Sequence, residues 1–309
     1  MQWFDLMLDR MRADDPNLSK IDLTCKNLSE ASIKAFSNVL RGNNTIKILD
    51  LCGINLGVCS ERMGFLSEAL EVNKTLQKLY LRDNKLGNCP ESMKLLSESL
   101  KVNNSIQELN LDRNDLGDCP DSSGMIFLTE SLKVNKTLQR LDLYNNNLGN
   151  SLEGMKCLSE ALKVNKTLQR LDLCCNKLGN CPDPSGLKLL SEALKVNTTL
   201  RVLRLDYNNL GNCYEELNFL LEALKVNISI QELNLYSNNL REYFEMGGLK
   251  LLEEVLKINN SIQRICGIEY IYSDKAISGR IIDATKRNEH NHSLRNCCLF
   301  GLLLPILGQ

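Results

Sequence analysis

The segment LQRLDLYNNNLGNSLEGMKCLSEALKVNKT, residues 138–167, decides the fold. Its first half alternates apolar and polar residues around Leu141 and Leu143, which is the period of a strand. Its second half, MKCLSEALKV, places apolar residues three and four apart, which is the period of a helix. The unit is a short strand followed by a helix, and it cannot bury its apolar face alone.

The unit recurs along the chain. Its Leu/Ile-x-x-Leu/Ile-x-Leu opening begins at Leu18, Ile46, Leu76, Ile106, Leu138, Leu168, Leu200, Ile230 and, degenerately, Ile262. The successive spacings are 28, 30, 30, 32, 30, 32, 30 and 32 residues. Stacking such units puts leucines such as Leu141, Leu143, Leu148, Leu158 and Leu162 inside one continuous core. The expected fold is an α/β solenoid. Helices are roughly 10 Å wide and strands pack about 4.8 Å apart, so the stack curves into a horseshoe with a concave parallel β-sheet and convex helices. Three regions follow: an N-terminal capping helix over 1–17, the solenoid of about nine repeats over 18–268, and a C-terminal cap with an apolar tail over 269–309. Trp3, Phe4, Leu6, Met7, Leu8 and Met11 supply the capping face of the first region.

Composition narrows the function. Among 309 residues, 37 are basic and 38 acidic, for a net charge of −1, which lacks the electrostatic footprint of a dedicated nucleic-acid binder. Thirteen cysteines is an odd number, and Asp5 and Asp9 interrupt the apolar run that a secretory leader needs. Free thiols in a reducing, cytoplasmic compartment are expected. The tail Asn296–Gln309 is broken by Pro305 and is shorter than the roughly 18 to 20 apolar residues of a membrane span. No membrane span is expected, although lipidation at Cys297 or Cys298 would tether the tail.

Two asparagines recur in every regular unit. Asn84, Asn114, Asn146, Asn176, Asn208 and Asn238 fall in the strand-to-helix turn, where an amide can donate to and accept from buried backbone. Lys26 and Ile54 replace them in the first two coils, and the last coil departs around Cys266 and Gly267, as end repeats do. Asn73, Asn103, Asn135, Asn165, Asn197 and Asn227 follow the helices and are expected to end them in a left-handed conformation. Each also begins an N-x-Ser/Thr sequon, and the helix-cap reading is preferred over the glycan one. Cys59, Cys89, Cys119, Cys181 and Cys213 share one repeat position, with Ser151 on the missing rung, and are expected to be small buried thiols.

Catalytic machinery is missing from the sequence. It contains no G-x-x-x-x-G-K-[ST], G-x-S-x-G or G-x-G-x-x-G, so phosphate loops and nucleophile elbows are not expected. His290, His292, Cys297 and Cys298 are the one local group of possible metal ligands, but adjacent cysteines lack zinc-site spacing. Most carboxylates occupy repeat-equivalent places, such as Glu68, Glu98, Glu130, Glu160 and Glu192 on the helices, and read as a solvated face. The expectation is a protein that is not an enzyme and needs no metal or cofactor.

The pattern LxxLxLxxNxLG followed by an amphipathic helix, over roughly residues 18–268, resembles the ribonuclease-inhibitor-like class of leucine-rich repeats. That class includes the ribonuclease inhibitor, the sensing domains of intracellular immune receptors, the activator of the Ran GTPase, the actin-capping tropomodulins and effectors of intracellular bacteria. The resemblance implies protein binding. It also implies alternatives: GTPase activation as in the Ran activator, enzyme inhibition as in the ribonuclease inhibitor, actin capping as in the tropomodulins, and secretion into a host cell if the source is bacterial. The Ran activator's arginine-bearing loop has no match here, and the charge balance differs from the inhibitor's acidic face.

On an x-L-x-L-x-x-N strand the leucines point inward and the intervening residues face the concave surface. There the candidate partner-binding residues are Tyr80, Arg82, Arg113, Arg140, Asp142, Tyr144, Arg170, Asp172, Arg204, Asp206, Tyr207, Glu232 and Tyr236. Tyrosine and arginine are the side chains enriched at binding hot spots, and mixed charge suits a specific protein partner. The tyrosines are the expected anchors, with Arg140, Arg170 and Arg204 forming a basic row balanced by Asp142, Asp172 and Asp206. A monomeric, intracellular interaction module is the leading expectation. The leucine core itself is testable: Leu143→Ala should lower stability by about 2 to 5 kcal/mol, read from the shift of a denaturant unfolding curve.

Overall fold

In the computed structural model, residues 2 to 268 are described except Pro120, Cys181, Pro182 and Pro184. The expected cap and tail over 269–309, with His290, His292, Cys297 and Cys298, therefore lie outside the described residues, as does Cys181. The strands are β1 Lys20–Asp22, β2 Ile48–Asp50, β3 Lys78–Tyr80, β4 Glu108–Asn110, β5 Arg140–Asp142, β6 Arg170–Asp172, β7 Val202–Arg204, β8 Glu232–Asn234 and β9 Arg264–Cys266. They pair in sequence order, all parallel, in one nine-stranded sheet. Register is strict, since Leu79, Leu109, Leu141, Leu171, Leu203 and Leu233 lie opposite one another strand by strand. A slip by one residue would turn that leucine row out to solvent.

Between the strands run α1 Gln2–Arg12 at the N-terminus, α2 Glu30–Gly42, α3 Ser60–Val72, α4 Pro90–Val102, α5 Ser123–Val134, α6 Leu152–Val164, α7 Ser185–Val196 and α8 Tyr214–Val226. The last coil holds a broken helix, α9 Arg241–Tyr243 and α10 Leu249–Ile258, joined by a π-turn in which Gly247 takes φ 119°. These segments are helical because Leu, Ala, Glu, Lys and Ser dominate them and the one proline they contain, Pro90, takes the first position of α4, where no N–H bond is lost. Each lays Leu or Met against the leucines of its own strand, as Met155, Leu158 and Leu162 do above Leu141 and Leu143.

The helix α1 closes the first coil with a narrower face than the sequence suggests. Phe4, Leu8 and Met11 are buried, whereas Trp3 and Leu6 are exposed. Only the i, i+4, i+7 row of a single helix can face one neighbour, and Trp3 instead lies under the Lys26 ammonium at 5.6 Å.

The turns are the part of a coil that cannot satisfy itself, and two asparagine ladders do it. In the strand-to-helix turn, Asn176 donates its amide to the carbonyls of Leu143 (2.8 Å) and Cys174 (3.2 Å). Its Oδ1 accepts from the backbone N–H of Asn146 (2.9 Å) and Leu148 (3.3 Å) in the preceding coil. The same pattern recurs from Asn84 to Asn238, with the side chains fully or almost fully buried. In the helix-to-strand turn, Asn73 donates to Leu40 O (2.8 Å) and Asn43 O (3.1 Å) and accepts from the N–H of Thr75 and Leu76. That second ladder runs from Asn43 to Asn259.

The second ladder corrects an expectation. Its asparagines are not left-handed terminators: Asn73, Asn103, Asn135, Asn165 and Asn227 all have extended backbone, with φ between −63° and −71°. The chain leaves each helix already heading into the next strand, and the side chain covers the helix-end carbonyls of the coil before. The amide nitrogen that a glycan would need is buried and engaged. Left-handed residues occur instead on both sides of each first-ladder asparagine, as at Asn145 and Asn147 or Tyr207 and Asn209.

Glycine follows the turn leucine for a related reason. Gly149 N–H donates to Asn176 O at 2.8 Å, and a Cβ there would press into the carbonyls of Lys177 and Asn176 in the next coil. The cysteine row is less uniform than expected. Cys119 and Cys213 are buried, while Cys59 and Cys89 are half-buried, although Cys59, Cys89 and Cys213 all stand at helix starts. Asn176→Ala should leave buried donors and acceptors unmet and lower stability by about 3 kcal/mol. The neighbouring Asn147→Ala, which loses one exposed bond to Asp118 and puts alanine on a left-handed backbone, should cost only about 1 kcal/mol, and urea unfolding of the two variants measures the contrast.

Candidate protein-binding face

The residues between and after the strand leucines share one face, and the structure sorts them into two layers. The lower layer is acidic and covered. Asp142, Asp172 and Asp206 are 4%, 5% and 3% exposed, which removes them as direct contacts for a partner. They were expected on the surface because they alternate with leucine, but the arginines of the same and neighbouring strands lie over them. Arg140 binds Asp142 through Nε (2.9 Å) and Nη2 (2.8 Å). Arg204 donates to Asp172 at 2.7 Å and approaches Asp206 at 3.3 Å. Asp172 also accepts from the N–H of Cys174, and the Cys174 thiol donates to Asp206.

Burial governs the electrostatics of this layer. It lifts the carboxyl of Asp142 above the usual carboxylate range even though Arg140 draws it back. It lifts Asp112 likewise, against hydrogen bonds from Asn110 and the Tyr144 N–H. The Cys174 thiol is pushed far up by burial and by Asp172 and Asp206, and Cys52 is pushed up to about 12 by burial and Asp50. Both thiols are therefore protonated and unreactive at neutral pH.

The upper layer faces outward. Glu108 gathers Lys78 Nζ (2.9 Å), the Tyr80 hydroxyl (3.2 Å) and Arg140 Nη1 (3.5 Å), so Tyr80 is half-buried and its hydroxyl already engaged. Arg82 and Arg113 are exposed, and the Arg113 guanidinium lies 5.6 Å from the centre of the Tyr144 ring. Arg170 stands opposite Arg140 on β6, and its Nε is enclosed without an acceptor. Tyr207 and Tyr236 are 54% and 47% exposed and meet edge to face at 5.9 Å. Glu232 lies 3.9 Å from Arg264.

The thirteen expected residues thus share a face but not a role. Tyr207 and Tyr236 form one aromatic patch, while Arg113 and Tyr144 form a second contact on coils 4 and 5. Glu108 shares this face, and its gathering role is not legible in the sequence because it joins side chains of β3, β4 and β5. Among the described residues no three His, Cys, Asp or Glu side chains cluster to hold a metal ion. No helix among them is long and apolar enough to cross a membrane.

With this geometry in hand, comparison with known proteins gives two family matches. One model described as leucine-rich repeat matches residues 72–88, 102–118 and 196–212, and a second, also leucine-rich repeat, matches 137–158. No curated protein sequence matches the chain. Among solved structures, leiomodin-1 actin-binding site 2 is similar at 16% identity and a TM-score of 0.36, covering 63% of this chain and 88% of that one.

The buried aspartates make stability depend on pH. A carboxyl whose folded pKa is raised binds its proton more tightly in the native state, so its contribution falls as pH rises through that pKa and is most unfavourable above it. Asp112→Asn removes this contribution. Its stability relative to the parent should therefore increase between about pH 4 and pH 7, and thermal unfolding across that range measures the trend; a constant difference would contradict the assignment.

Proposed function

This is a leucine-rich-repeat protein, and we propose that it works without catalysis, as an interaction module that grips a protein partner on the concave face of its sheet. The observation that carries the reading is the exposed Tyr207–Tyr236 pair, on a face that also carries Arg204 held by buried aspartates. Aromatic rings and arginines make the strongest interface contacts because they bury much area at little entropic cost. Arg140 and Arg204 are held by carboxylates beneath them, so less side-chain freedom is lost when a partner docks. Their remaining N–H groups point to a partner with acceptor oxygens between apolar side chains.

The chain's net charge of −1 favours a folded protein over a polyanion as the partner. A reducing intracellular setting, with the chain acting as a monomer, fits the free thiols and belongs to the same proposal. So does the division into an N-terminal capping helix, a solenoid and a C-terminal cap.

Affinity capture tests this reading with the intact chain and a Tyr207→Ala/Tyr236→Ala double variant. Both side chains are exposed, so the fold should persist, as circular dichroism checks. The partner retained by the intact chain should bind the variant at least about thirtyfold more weakly. Equal binding by both would place the site elsewhere.

A further inference from the structure

A second surface lies on the rim where the helices hand over to the strands. Between coils 5, 6 and 7 this rim holds a recess of about 280 Å³. Lys136, Lys166 and Arg201 line it with Gln139, Gln169 and Thr198, and among the described residues no Asp or Glu does. The three cations have no ion-pair partner among the described residues, whereas the nearby helix-end lysines Lys133 and Lys195 are neutralised by Glu130 and Glu192. Cationic and uncompensated, the recess attracts anions.

The helix ends do not cancel that attraction. The C-termini of α5, α6 and α7 point toward this rim and would present partial negative charge. Their carbonyls at Leu132, Leu162 and Leu194 are instead each covered by an asparagine amide from the next coil, Asn165, Asn197 and Asn227, at 2.7 Å. The second asparagine ladder thus screens the rim.

We propose that this rim groove binds an extended acidic peptide segment, its anionic side chains on Lys136, Lys166 and Arg201 and its main chain on Gln139 and Gln169. Each glutamine amide offers a donor and an acceptor, which matches a peptide main chain and exceeds what a lipid headgroup uses. The spacing also fits. Adjacent coils lie about 4.8 Å apart at the sheet and roughly 10 Å apart at the helices, and alternate side chains of an extended peptide, about 7 Å apart, fall between these. Val134, Val164 and Val196, exposed at the ends of the same three helices, offer apolar contact to the side chains between the acidic ones. The groove is separate from the concave face and does not depend on the function proposed for it.

Fluorescence anisotropy of a labelled peptide of alternating Glu and Ser, against one of alternating Gln and Ser, tests the proposal with the full chain. The acidic peptide should bind, more weakly as salt is raised, and the neutral one should not. Lys136→Glu/Lys166→Glu/Arg201→Glu should weaken binding about tenfold or more, while the same charge change on the outer helix faces, Lys94→Glu/Lys156→Glu/Lys188→Glu, should alter it by less than about twofold. If the rim variant misfolds by circular dichroism, alanine at the same three exposed positions carries the comparison. Three results would overturn the proposal: no binding by the intact chain, equal loss in both triple variants, or retention on phosphatidylserine vesicles with no peptide binding. Tyr207→Ala/Tyr236→Ala should leave peptide binding unchanged, which separates this result from that of the concave face.

Discussion

Everything in this structure rests on satisfying the backbone in the turns of a parallel coil. Strands and helices meet their own hydrogen-bonding needs, but a chain that reverses twice per thirty residues buries turn N–H and C=O groups against the next coil. Only a side chain that donates and accepts can serve both coils at once. The two asparagine ladders do this, one at each reversal, and lock the register in which the leucine rows meet. Aspartate would accept without donating and leucine would do neither, so the amide is required by the arrangement and not by any ligand.

That frame explains why the concave face is free to vary. Once leucine, asparagine and glycine have fixed each coil, the intervening strand positions contribute little to holding the stack together and can carry Tyr, Arg, Glu or Asp. The consequence is not a flat charged surface. Alternation with leucine puts Asp142, Asp172 and Asp206 low between their neighbours, and long arginine side chains fold over them. The charge is spent internally, which leaves guanidinium groups in set positions and tyrosine rings as the parts a partner would meet. The rim behaves in the opposite way: there the ladder covers helix-end carbonyls, and the lysines and arginine above it have no ion-pair partner among the described residues.

Some misreadings have a common cause. A local rule for helix ends favours a left-handed asparagine after each helix, but the backbone there is extended because the amide's partners lie about thirty residues away in the preceding coil. One repeat position is not one environment: Cys59 is half-buried and Cys119 buried. Trp3 and Leu6 were counted with the capping face although only one row of α1 can meet the first coil.

The sequence by itself determined the repeat, its strand-then-helix order, the identity of the inward leucines and the set of residues that share the concave face. These are periodic properties, and periodicity is a local signal that survives without coordinates. Only the tertiary structure decided which of those face residues remain available: that Tyr207 and Tyr236 meet, that Glu108 gathers side chains from the two strands flanking its own, that three aspartates are covered, and that Lys136, Lys166 and Arg201 line one recess. Each depends on side chains about thirty residues apart lying within a few ångströms across neighbouring coils. The length of a side chain and the width of a coil set that distance, and neither is written in the spacing of the letters.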